Sequence, residues 1–132
     1  MPFLFALAQH DGLVAASTNL QAGEWVLSFL DDLYVVTSRV RAHAAFKEVA
    51  DKVGQHAGVK THLGKLRAWC KDGGSAPADL AAAAPDAWTA DKPDADNGLV
   101  VLGTPLCKKA FVEAAHRNAC GESNSCCTGL AT

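Results

Sequence analysis

A chain of 132 residues has room for one domain or part of one, with a modest core. Apolar residues make up 49% and charged residues 20%, which excludes disorder as the organising state. The net charge of -2 conceals blocks of opposite sign: residues 1–38 hold Asp11, Glu24, Asp31 and Asp32 and no Lys or Arg, whereas residues 39–71 hold eight bases against Glu48 and Asp51.

The opening MPFLFALA is apolar but has no basic flank and runs into Gln9, His10 and Asp11 without a small-residue cleavage site, so no signal peptide is expected. No apolar run approaches the roughly 20 residues that span a bilayer. The chain is expected to be soluble and intracellular, and its five cysteines, odd in number and irregularly spaced, to be reduced.

In chain order, Met1 to about Leu20 reads as a helix, with Pro2 suited to a first turn and Leu4, Leu7 and Val14 on one stripe. EWVLSFLDDLYVVT, Glu24 to Thr37, gives two short β-prone runs around paired aspartates, the pattern of a hairpin with an acidic tip. Ser38 is an acceptable N-cap for a helix that buries Phe46, Val49, Ala50, Val53 and Ala57 and closes at Gly58. A turn at Gly64 leads to a short strand near 66–69, expected to extend the hairpin sheet. Residues 71–98 combine Gly73-Gly74, three prolines, an alanine run and six aspartates, and read as an irregular loop with a helical turn at Leu80 to Ala84. LVVLG, 99–103, reads as a strand broken by Thr104-Pro105, followed by a helix from about Lys108 to Ala119. From Cys120 onward the chain is rich in Ser, Gly and Cys, and disorder is expected.

Neighbouring aspartates on a regular strand point to opposite faces, but at a hairpin tip both can reach one side and offer oxygens to a hard cation. Phosphoryl-transfer enzymes use clustered carboxylates to hold two divalent ions about 4 Å apart. Aspartates also form turns by bonding their own backbone, so the pair alone does not decide. The bases from Arg39 to Lys71 are suited either to a phosphate backbone or to a solvated face. His116, Cys120 and Cys126-Cys127 lack the C-x-x-C spacing of a zinc site. Trp25, Trp69 and Trp88 are assigned to packing.

The order of features carries more weight. An apolar helix, FLDDLYVV, an amphipathic helix, GVKTHLGK and LVVLGTPL together resemble the palm of retroelement-like reverse transcriptases over roughly residues 1–112. Phe29 stands two before the paired aspartates, where that family has an aromatic residue. The resemblance implies an α+β fold: a partial polymerase palm over 1–119 in which the hairpin and the strands near 66–69 and 99–103 form one small antiparallel sheet, with helices on one face.

It also implies that Asp31 and Asp32 bind Mg²⁺ or Mn²⁺, that Lys65 lies near the pyrophosphate leaving group, that Gly103 and Thr104 shape a primer grip, and that Lys60 and Arg67 meet nucleic acid. The partners implied are an RNA template with its DNA primer and a deoxynucleoside triphosphate. The family's first catalytic aspartate comes from a strand upstream of the helix that begins here at Met1, and Asp11 and Glu24 are poor substitutes. The expectation is therefore a fragment inactive by itself, or a remnant kept as a nucleic-acid or protein-binding module. Self-association through an exposed sheet edge is expected as well.

Overall fold

The computed structural model describes residues 2–122, which form a small α+β protein with four helices and two antiparallel hairpins. Two compact units divide it. The first holds the chain up to Leu66 together with Pro77–Pro85; the second holds Arg67–Ala76 and the chain from Asp86 onward.

In the first unit, helix α1 (Pro2–Asn19) leads into strands β1 (Trp25–Phe29) and β2 (Asp32–Val36). A 3-10 turn at Arg39–Arg41 then opens helix α2 (Ala42–Ala57), and a second lies at Leu63–Lys65. Ala16, Val49 and Val53 are buried where α1 meets α2, and Leu13, Leu20, Val26, Leu33 and Val35 pack against them. The expected stripe of α2 is confirmed at Val49 and Val53, and the helix closes at Gly58 with φ 67°. Ser38 precedes the 3-10 turn, but its hydroxyl caps nothing. Short helix α3 (Ala78–Ala83) packs on α2 and buries Leu80, close to the helical turn expected there.

The stripe expected of α1 is corrected: Leu4, Leu7 and Val14 are 57%, 60% and 50% exposed. The buried positions are instead Gln9, Gly12 and Ala16. The reason is proximity of backbones. A Cβ on Gly12 would stand 2.8 Å from the Val53 Cα, so α1 approaches α2 through small residues and turns its large ones outward.

One interaction ties the parts of this unit together. The Glu24 carboxylate, 6% exposed, accepts the Gln21 backbone N–H at 2.8 Å and the Thr37 hydroxyl. It also accepts the Arg41 guanidinium in a fork, Nε at 3.1 Å and Nη2 at 3.0 Å. Arg41 reaches Glu48 on α2 as well, at 3.3 Å. The Arg41 and Thr37 hydrogen bonds hold the Glu24 carboxyl down to about 2, against the opposing effect of burial.

In the second unit, strands β3 (Gly98–Val101) and β4 (Thr104–Cys107) form a hairpin, followed by helix α4 (Lys109–Glu122). The single sheet expected from the sequence is thus two separate two-stranded sheets. Thr104-Pro105 begins a strand instead of ending one; Pro105 faces Val100 in a two-stranded ribbon, where a missing N–H is tolerated.

Residues 66–69 do not extend the first hairpin. Ala68 makes an isolated parallel bridge with Trp88, donating to the Ala87 carbonyl at 2.8 Å and accepting from the Thr89 N–H at 2.9 Å. Buried and half-buried side chains anchor that arrangement. The Trp69 indole donates to Asn97 Oδ1 at 2.7 Å, Asn97 Nδ2 donates to the Ala90 carbonyl at 3.0 Å, and the Trp88 indole donates to the Gly74 carbonyl at 2.8 Å. Trp69 and Trp88 pack as expected, whereas Trp25 is 65% exposed. Helix α4 runs three residues into the expected tail, and residues 123–132 lie outside the described ones.

Two measurements check this account. Gly12→Val should lower stability in urea by about 2 kcal/mol, because the helices must separate to admit the side chain. Glu24 has a depressed folded value, so its contribution is complete above about pH 4.5 and is lost as the pH falls toward about 2. Glu24→Gln should therefore cost about 2 kcal/mol at neutral pH and flatten the acid limb of the stability profile.

Candidate functional site

The β1–β2 hairpin is closed by the two residues Leu30 and Asp31, since Phe29 pairs with Asp32. Leu30 has φ 55° and Asp31 does not share the positive sign, the pattern of a type II′ turn, whose first position ordinarily takes glycine. Asp31 thus sits in the turn and Asp32 opens β2. Both are exposed, and Asp32 Oδ2 accepts the Tyr34 hydroxyl at 3.3 Å. The hairpin with an acidic tip is present as the sequence indicates.

Antiparallel pairing sorts the side chains between two faces. Val26, Leu33 and Val35 turn inward to the core, together with Ser28, whose hydroxyl donates to the buried Gln9 at 3.3 Å. Trp25, Leu27 and Phe29, with their partners Val36, Tyr34 and Asp32, occupy the other face.

As ligands, two carboxylates suit one Mg²⁺ or Mn²⁺ ion that keeps its water and binds phosphates as well. Among the described residues no third His, Cys, Asp or Glu joins them in a group able to hold a metal ion. Glu24, the nearest acid in the chain before the hairpin, is committed to Gln21, Thr37 and Arg41.

Lys65 ends an exposed 3-10 turn in the same unit, its N–H donating to the His62 carbonyl at 3.0 Å, and Lys60 is exposed just before it. Arg67, Gly103 and Thr104 belong to the second unit. Leu102 and Gly103, with φ 50° and 77°, form the turn between β3 and β4 in the sign pattern of type I′, and Thr104 opens β4. Gly103 therefore lies in a hairpin turn, and Thr104 follows it as a paired strand residue.

Arg67 lines an open cleft of about 420 Å³ in the second unit with Lys92, Asp96, Leu99 and Phe111. The sequence offered no sign of it, because the cleft depends on the return of 86–98 over the segment that precedes it. Cys70 and Cys107 are free thiols, and burial pushes the Cys107 thiol up, away from the nucleophilic thiolate. Among the described residues no helix is long and apolar enough to cross a membrane.

No family model, no curated protein and no solved structure matches the chain.

The Leu30 conformation gives a direct check on the tip. Leu30→Gly should raise stability by about 1 kcal/mol in a thermal melt, by relieving a left-handed conformation at a side chain already 44% exposed.

Proposed function

We propose that this chain is a palm-derived fragment of an RNA-directed DNA polymerase whose Asp31-Asp32 turn holds a Mg²⁺ or Mn²⁺ ion against nucleotide phosphates, and that it does not complete nucleotidyl transfer by itself. The observation that carries the reading is the tight hairpin with both carboxylates in solvent at its tip. Support comes from the order of elements around it: the apolar helix before, the amphipathic helix after, and the later hairpin formed by LVVLGTPL. In this reading the bound ion would neutralise phosphate charge, Lys65 would add a cation beside it, Gly103 and Thr104 would set the shape of a primer contact, and Lys60 and Arg67 would meet the nucleic-acid backbone.

A second reading is a non-catalytic module that binds nucleic acid or protein. It is favoured by the lack, among the described residues, of a third ligand beside the two aspartates.

The ion site is tested by titrating Mn²⁺ into the isotope-labelled chain. Amide signals from Phe29 to Tyr34 should broaden first, and Asp31→Asn should abolish the effect; uniform broadening along the chain would remove the metal site. In primer extension on an RNA template with Mn²⁺, the isolated chain should give no product. Extension that survives Asp31→Asn would rule out these aspartates as the catalytic pair.

A further inference from the structure

The outward face of the first hairpin is mostly apolar, with Tyr34 and Asp32 opposite Leu27 and Phe29. Trp25 is 65% exposed, Leu27 56%, Phe29 55%, Leu30 44% and Val36 51%. Single exposed apolar residues are ordinary on a protein surface, but a contiguous aromatic and aliphatic stripe on a two-stranded sheet is not. Strand alternation fixes the stripe: Val26, Leu33 and Val35 turn inward to build the core, with Ser28 beside them, and the alternate positions Trp25, Leu27, Phe29 and Val36 are sent outward.

We infer that this face is where two copies of the chain associate, sheet against sheet, about a twofold axis near the Leu27–Tyr34 pair. The five residues leave roughly 500 Å² of side chain open per copy, so a symmetric pair covers roughly 1,000 Å² in total, the lower bound of a specific interface. The resulting dimer is weak and concentration-dependent.

Charge selects both occupant and direction. The stripe ends in Asp31 and Asp32, and residues 1–38 carry no Lys or Arg, so apart from an ion held at the tip the strands offer no cation to a phosphate-rich polymer or an anionic lipid surface. A parallel stacking of two hairpins would set four carboxylates side by side. The antiparallel twofold arrangement puts the two tips at opposite ends of the stripe, about 14 Å apart along the strands, beyond the screening length of physiological salt. The aspartates then sit at the rim.

The test is sedimentation velocity on the full chain over the micromolar range, with far-UV circular dichroism as the folding control. The wild-type chain should show a monomer–dimer equilibrium. Leu27→Glu places a charge at the centre of the apolar contact and should raise the dimer dissociation constant by at least about tenfold with the dichroism unchanged. Should that variant lose its dichroism, Val36→Glu is read in the same way. Leu4→Glu, on the exposed side of α1, should leave the dimer intact. A chain that is monomeric at every concentration overturns the inference. So does a dimer that persists in Leu27→Glu, which would point to backbone pairing at a strand edge, or one lost equally in Leu4→Glu.

Discussion

The enclosed Glu24 carboxylate sits where three segments of the first unit meet. It closes the α1–β1 connection through the Gln21 N–H, holds the end of β2 through the Thr37 hydroxyl, and receives the Arg41 fork at the start of α2. A two-stranded ribbon is marginal without support, and here its open end is fastened to the helices by charge-assisted hydrogen bonds. With that end fixed, the alternation of the strands has only one consistent phase. Val26, Leu33 and Val35 go to the helices, and the aspartate tip projects into solvent.

The same phase creates both of the surfaces to which function is attributed. A turn of only two residues places Asp31 and Asp32 side by side at an exposed end, while the strands behind them carry an apolar stripe that the unit itself does not cover. The inward face is satisfied by α1 and α2, whose close approach at Gly12 leaves no room for more side chains between them. Large residues on α1 are displaced outward for that reason.

The second unit is organised by buried polar groups as much as by apolar packing. Thr89 and Asn97 are both enclosed, and each bonds to the backbone of other segments: Thr89 to the carbonyls of Ala68 and Gly98, Asn97 to those of Ala90 and Lys92 while accepting from Trp69. Among the described residues no buried side-chain nitrogen or oxygen is left without a partner. Such a network specifies how an otherwise irregular stretch folds, since each misplaced donor would cost about 1 to 3 kcal/mol. Gly98 completes it, because the ring of Phe111 from α4 lies where a Cβ would be.

By itself the sequence determined the local elements: α1, the acidic hairpin from Glu24 to Thr37, α2 with Val49 and Val53 inward, and a helix near the end of the described residues. Those follow from periodicity, β-propensity and turn chemistry, which act over a few residues. Only the tertiary structure decided which face of α1 is buried, that Ala68 pairs with Trp88 and not with the hairpin, and that Thr104 and Pro105 begin a strand. Each of these rests on a contact between residues distant in sequence, or on a neighbour whose position no local pattern reveals. Hydrophobic spacing favoured Leu4, Leu7 and Val14 because it counts side-chain size. The backbone of α2 required small residues instead, and that requirement exists only once two helices have met.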